Sequence, residues 1–443
     1  MMIPENVNKY IKKYSLPGWE IEHAGLDNIN NVVVIPAICE FENIKTLLAS
    51  LAENEGKYFP YTLYLFVINN PAEPEGNSRL DNANTLAYLR TIIKNDISTC
   101  DELQRKINSA GLRIGLVDAS SAGKELPIKD AGVGLARKIG LDLALGAFNY
   151  NSSDKKILIC LDADCTVEKN YLTEIIENFN NKNLTAAIIN FSHQINGGTE
   201  LDPAIICYEI FLRYYVLGLR YAGSPYAFHT VGSTIACDYE SYVKAEGMNK
   251  RKAAEDFYFM EKLAKIVSID KITGTTVHPS GRSSWRVPFG TGQRVNRFLA
   301  HTHNDYLLYN PKTFSILKEW INEFNSHAVN GADFYLAKAA EIDFYLHRFL
   351  IEQNFSDSWS KILKSSASGE QANRQKIKWF DGFKTLKLIH YLRDSAYPLI
   401  NMFEAADELF GLCRINFYPG RKGKDIPSIE IQKEYLNILR KNA

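Results

Sequence analysis

An α/β fold, with a mainly parallel sheet covered by helices on both faces and a mainly helical region after it, is what this sequence predicts. Short β-branched runs alternate with longer helical patterns over most of the chain, which is the signature of βαβ units. From about Val295 the β signal fades and helical patterns with polar interruptions such as "KSSASGEQANRQ" take over. With 443 residues, 46% hydrophobic and 23% charged, the chain is long enough for one large domain plus a second element.

The elements follow in order. The N-terminal "MMIPENVNKYIKKY" has no apolar stretch resembling a signal peptide, so secretion is not expected. "NVVVIPA" from Asn31 reads as a strand before the helical "ENIKTLLASLAEN", and "YTLYLFVINN" from Tyr61 as a strand before "RLDNANTLAYLRTIIKN". The segment between Asn70 and Leu112 is long for a simple crossover, and some local elaboration is expected there. "LRIGLVDAS" from Leu112 precedes "GVGLARKIGLDLALGAF"; a strand at Ile157 precedes a helix from Asn170; "TAAIINF" from Thr185 is a further strand. In such sheets, ligands belong at the carboxyl ends of the strands. The most apolar long segment, "PAIICYEIFLRYYVLGLRYAG" from Pro203, carries Glu209, Arg213 and Arg220. Each central charge would cost roughly 2.5–3.5 kcal/mol in a bilayer, so a soluble helix partly exposed in a binding groove is expected and no transmembrane segment. A boundary near Phe298 divides the chain into 1–298 and 299–443.

Charge and cysteine usage exclude several classes. Lys plus Arg and Asp plus Glu number 51 each, which gives no general electrostatic reason to expect nucleic acid as a partner. The seven cysteines are odd in number, scattered and without a C-x-x-C pair, which suggests a reducing, cytoplasmic compartment and neither a disulfide framework nor a zinc site. Peripheral attachment to a membrane stays open. "GLVDASSAGKE" fails as a P-loop, because Asp118 stands at the first glycine position and Glu125 follows Lys124. "GVGLARKIG" fails as a dinucleotide fingerprint, because Arg137 stands where the third glycine should fall.

"ILICLDADCTVEKN", Ile157 to Asn170, ends its strand in Asp162-Ala163-Asp164. If the strand persists, its side-chain period of two points both carboxylates the same way. Hard oxygen ligands suit Mg²⁺ or Mn²⁺, and Mg²⁺ is commonly held by one or two carboxylates plus substrate phosphates. An isolated D-x-D is nonetheless more often a solvated turn.

Its surroundings change that balance. Taken in order, "VVVIPAICEFENIKTLLASL", "GVGLARKIGLDLA", "ILICLDADCTVEKNYL", "VGSTIACDYESYVKAEGM" and "AAEDFYFMEKL" resemble the family 2 glycosyltransferases, which have a GT-A fold. The resemblance implies that Pro36 to Glu40 form the nucleotide-touching loop after the first strand. It makes Arg137 the basic residue of the helix before the D-x-D strand, Asp162 and Asp164 the metal and donor grip, and Asp256 the catalytic base. Where many relatives carry an acidic residue for base or ribose, this chain has Asn69-Asn70, so amide contacts from Asn70 are expected instead. Processive relatives carry Gln-x-x-Arg-Trp, whereas here Gln293 is followed by Arg297 and Phe298, which disfavours a polysaccharide synthase.

"HPSGRSSWRVPFGTGQRV", His278 to Val295, is dense in His, Arg, Ser and Gly. Arg282 and Arg286 are expected to engage donor phosphates, and His278 is the candidate third metal ligand, although a lone His more often serves only as a hydrogen-bonding group. Trp285 either stacks on a sugar or packs. Asp256 has a plain alternative as well, since an acidic pair at a helix start favours the helix dipole.

The expectation is therefore metal-dependent transfer of a sugar, with inversion, from a nucleotide-sugar donor to an unknown acceptor hydroxyl, with Mn²⁺ or Mg²⁺ as cofactor. A retaining GT-A transferase and a catalytically silent sugar-nucleotide-binding scaffold are the alternatives. The helical 299–443 region is expected to serve acceptor binding or homo-oligomerisation.

Overall fold

Asn31–Ala37 and Thr62–Asn69 are buried along their whole length, which requires a sheet covered on both faces. The computed structural model describes residues 3–73, 76–96, 98–195, 200–283, 290–326, 329–417, 420 and 425–443. The chain divides into two compact units, Met1–Gln194 with Thr230–Gln293, and Ile195–His229 with Arg294–Ala443.

The first unit carries strands β1 (Glu22–His23), β2 (Asn31–Ala37), β3 (Thr62–Asn69), β4 (Arg113–Ala119), β5 (Ile157–Cys160), β6 (Thr166–Val167), β7 (Ala186–Phe191), β8 (Ile235–Asp238) and β9 (Asp270–His278). Their order in the sheet is β1-β4-β3-β2-β5-β8-β7-β9-β6. Strands β4, β3, β2 and β5 run parallel, as do β7 and β9. β8 is antiparallel to both of its neighbours, and short β1 and β6 close the edges antiparallel. This is the mixed, mainly parallel sheet that the GT-A resemblance implies.

Period-two alternation sends Val33, Ile35, Tyr64, Phe66, Ile157 and Ile159 into one core with Ile44, Leu47, Leu51, Leu86 and Leu89 of the helices Phe41–Ala52 and Ser78–Lys94. The opposite face meets the helix Val133–Ala147, and Gly140 sets how closely. A Cβ there would lie 2.4 Å from Val34 Cγ1 and 2.9 Å from Val67 Cγ2. The long Asn70 to Leu112 crossover is elaborated by an extra helix, Glu102–Ala110, started by a capping box between Asp101 and Gln104.

The order of strands locates a crevice. After β2 the chain adds β3 and β4 on one side, then returns to place β5 on the other, so β2 and β5 flank the switch point where ligands of such sheets bind. Their pairing continues to Leu161, whose N–H donates to the Val34 carbonyl at 3.1 Å. The loops after Ala37 and Cys160 must therefore emerge side by side.

In the second unit, helices pack on an aromatic core that includes Trp320, Phe324, Tyr335, Phe355 and Trp359. The helix Leu201–Tyr221 belongs to this unit, which differs from the 1–298 and 299–443 division. Its buried Glu209 accepts two hydrogen bonds from Arg440, at 2.8 and 2.9 Å, and one from Arg213 at 2.7 Å. Gly218 packs so closely that a Cβ would lie 2.5 Å from the Phe314 ring. The segment is thus a buried core helix rather than one exposed in a groove. Among the described residues no helix is long and apolar enough to cross a membrane.

Two glycines of the Val133–Ala147 helix give a test with opposite signs. Gly146 has nothing within 4 Å of an added Cβ, so Gly146→Ala should stabilise the protein by about 0.5–1 kcal/mol through helix propensity. Gly140→Ala should instead destabilise it by about 1–3 kcal/mol through overpacking against Val34 and Val67. Denaturant midpoints at constant slope measure both.

Candidate active site

The strand β5 ends at Cys160, and Asp162 to Cys165 form a turn closed by a Cys165 N–H bond to the Asp162 carbonyl at 3.2 Å. The extended backbone on which a common direction for both carboxylates depended does not persist. Each carboxylate is instead held by its own arginine.

Arg137, on the Val133–Ala147 helix, is 1% exposed. Its guanidinium donates to Asp162 Oδ1 at 2.6 Å through one arm and to Glu255 through the other. Burial, the largest influence, works against its charge, but Asp162 and Glu255 outweigh it and hold the guanidinium protonated above its ordinary range. Gly232 lies against this group, since a Cβ there would be 2.8 Å from the arm that holds Asp162. Arg137, expected as a donor-binding residue, is thus paired with two carboxylates of the chain itself.

Arg282 repeats the arrangement. It donates to Asp164 Oδ2 at 3.2 and 3.1 Å and also pairs with Glu40. Glu40, at the start of the helix Phe41–Ala52, also accepts from Asn43 at 2.5 Å. The side-by-side emergence of the β2 and β5 loops is what lets one guanidinium reach both. Arg282 remains about one-third exposed.

Asp256 sits in the first turn of the helix Glu255–Ala264, and its Oδ1 accepts from the Phe257 N–H at 2.7 Å. The helix is entered through Ala254 at φ +57°, a left-handed conformation that costs an L-residue roughly 1–2 kcal/mol. The segment leading into it packs closely on the Val133–Ala147 helix, for a Cβ on Gly134 would lie 2.2 Å from the Arg251 carbonyl and 2.9 Å from Glu255 Cβ. Burial first, and then Glu255, push the Asp256 carboxyl up to about 7, against the pull of Arg137 and the Phe257 amide. Asp164 is pushed up to about 6, by burial and then by Glu40, against the pull of Arg282.

Other expectations change. Pro36 lies inside the buried strand β2, so only the loop beyond Ala37 can reach a ligand. Asn70 is 1% exposed, and its side-chain oxygen accepts from Asn82 at 2.8 Å; Asn82 in turn accepts from the Cys39 N–H at 2.9 Å. Asn70, expected to make amide contacts to the donor, is thus linked through Asn82 to the loop after β2. His278 ends β9 opposite Thr166 of β6, a pairing that puts its Nδ1 3.1 Å from the Ser192 carbonyl and its Nε2 3.4 Å from Glu168. Among the described residues no group of three or more His, Cys, Asp or Glu is placed to hold a metal ion, so the set Asp162, Asp164 and His278 does not form. Arg286 and Trp285 lie outside the described residues.

No protein-family model matches the chain, and no curated protein sequence matches it. Among solved structures it is similar to S. aureus TarS 1-349 in complex with UDP-GlcNAc, at 13% identity and TM-score 0.37 over 83% of this chain and 88% of that one. It is also similar to the mannosyltransferase PcManGT from Pyrobaculum calidifontis in complex with GDP-Man and Mn²⁺, at 12% identity and TM-score 0.36 over 98% and 92%. Both likenesses are remote. At this level they say nothing about the chemistry of the site.

The residues themselves fit a divalent cation held by two protein oxygens. Arg137 occupies only Oδ1 of Asp162, and Arg282 only Oδ2 of Asp164, which leaves one oxygen of each without a side-chain partner among the described residues. Glu40, Asp162, Asp164, Glu255 and Asp256 gather around just two guanidiniums, and the raised Asp164 and Asp256 carboxyls register that surplus of negative charge.

The sign of the resulting pH dependence follows from linkage. Asp256 titrates near 7 when folded, against an ordinary 3.8, so between those values the folded state binds more protons and stability declines as pH rises. Asp256→Asn removes this loss. Its melting temperature should gain on the parent's as pH rises from about 4 to about 7 and then hold a constant advantage. Thermal unfolding at pH 5 and pH 8 measures it, and a pH-independent difference would contradict the raised carboxyl.

Proposed function

We propose that this chain is a metal-dependent glycosyltransferase that moves a sugar from a nucleotide-sugar donor to an acceptor hydroxyl with inversion. The observation that carries this reading is the juxtaposition at one switch point of two half-engaged carboxylates, Asp162 and Asp164, with a third, Asp256, raised to about 7. A carboxylate poised near neutrality is matched to general base catalysis. Asp256 accepts the proton of the acceptor hydroxyl as its oxygen attacks the anomeric carbon opposite the leaving nucleotide. Asp162 and Asp164 hold Mn²⁺ or Mg²⁺, which when bound supplies positive charge to the departing diphosphate. Arg282, partly exposed beside Asp164, adds a fixed cation where that negative charge develops.

A thermal-shift screen of nucleoside diphosphates and nucleotide sugars, with and without Mn²⁺, tests the donor half. Selective ligands at about 100 times their Kd should stabilise the parent by roughly 2.7 kcal/mol, only with Mn²⁺ present, and Asp164→Ala should abolish the shift while melting cooperatively. A shift that survives in Asp164→Ala would remove the metal grip.

The catalytic half rests on Asp256→Asn, which keeps the shape and removes the base. Its kcat should fall by roughly 10²–10⁴-fold with donor binding retained, and the parental rate should decline as pH drops below about 7 as Asp256 protonates. A folded, donor-binding Asp256→Asn protein with parental kcat would favour the retaining alternative.

A further inference from the structure

The buried Arg137 ion pairs imply a role for Glu255 that the acid/base reading leaves out. Arg137 is held between two carboxylates on different elements, Asp162 in the turn after β5 and Glu255 in the first turn of the Glu255–Ala264 helix. Glu255 is itself 4% exposed, so its charge is spent on Arg137 rather than on solvent. Without Glu255, the guanidinium and Asp162 would form a neutral pair, and a cation approaching Asp162 would compete with a full buried positive charge. With Glu255 present, the charge on Arg137 is already matched, and Asp162 keeps its negative charge for an outside partner.

The surrounding backbone holds the three groups in this state. Gly232 leaves no room for the guanidinium to withdraw, as a Cβ there would sit 2.8 and 2.9 Å from its two terminal nitrogens. Gly134 lets Glu255 approach, as a Cβ there would lie 2.9 Å from Glu255 Cβ. The Nε of Arg137 is buried without a hydrogen-bond partner, so the side chain gives up one bond to keep both terminal nitrogens on carboxylates.

We infer that Glu255 is a positioning residue for the cation-binding end of the site, neutralising Arg137 so that Asp162 is fixed through Oδ1 and keeps its charge and Oδ2 for a divalent cation. The inference rests on the metal grip proposed above and adds a residue to it. Groups that orient a metal ligand from behind are typically worth about 10–100-fold in metal affinity.

The test is Mn²⁺ alone, titrated by electron paramagnetic resonance and water-proton relaxation at a temperature where every protein is folded. Glu255→Gln keeps the shape but leaves Asp162 as the one ion-pair partner of Arg137 among the described residues, and should lower Mn²⁺ affinity about 10–100-fold. With the titrations run at about pH 8.5, where Asp256 is ionised, Asp256→Asn removes a charge one residue on without breaking a bond to Arg137, and should lower it much less. Gly232→Ala, which displaces the guanidinium while Glu255 stays, should reproduce the loss and serves where Glu255→Gln does not fold. A merely structural Glu255 predicts a lower melting temperature with parental Mn²⁺ affinity, and that result overturns the inference while leaving the metal grip intact. A loss in Asp256→Asn equal to that in Glu255→Gln also overturns it, in favour of general electrostatics. A parent that binds Mn²⁺ no better than Asp164→Ala overturns both.

Discussion

A guanidinium that is 1% exposed must be matched by carboxylates, because an uncompensated buried charge would cost several kcal/mol. Arg137 meets this demand with Asp162 and Glu255, and much of the first unit follows from it. The Val133–Ala147 helix has to lie close to the sheet, which Gly140 permits, and close to the 251–255 segment, which Gly134 permits. The left-handed Ala254 then turns the chain so that Glu255 reaches the arginine and Asp256 follows it into the site. The glycines of "GVGLARKIG", useless as a dinucleotide fingerprint, are there to let backbone and side chains approach.

Matching is deliberately incomplete around the crevice. Two arginines serve Glu40, Asp162, Asp164 and Glu255, and Asp256 is left with only a backbone amide as its hydrogen-bond donor among the described residues. Burial without full compensation raises Asp164 and Asp256 instead of forcing them to be charged. A cluster serving stability alone gains from full pairing, whereas one that must accept a cation and a proton needs unspent capacity.

The second unit satisfies the same rule in the opposite way. Glu209 takes three hydrogen bonds from Arg213 and Arg440, including both arms of the Arg440 fork, and is fully enclosed. Glu209 and Arg213, which argued against a bilayer when read in sequence, are internal ties of a helical core. They also explain why Leu201–Tyr221 groups with residues distant in the chain: its partner for Glu209 lies on the last helix, Ile429–Asn442.

Local sequence determined the strands β2, β3, β4, β5 and β7, since a β-branched apolar run has few other places to go once both faces are covered. It also drew attention to Asp162 and Asp164 at a strand end and to Arg282 in a loop dense in His, Arg, Ser and Gly, whereas Glu40 and Asp256 were singled out by the family 2 resemblance. It left β8 and β9 unread: β8 lies inside a motif quoted for other reasons, and β9 is largely polar, with an irregular pattern of burial. Which charges meet was decided only by tertiary structure. Arg137 and Glu255 are 118 residues apart and Arg282 and Glu40 are 242 apart, and no local pattern encodes a pairing that depends on β5 returning beside β2. The same holds for Asn70 turning inward and for His278 facing Glu168: side-chain chemistry is a property of the residue, whereas its partners are a property of the packed sheet.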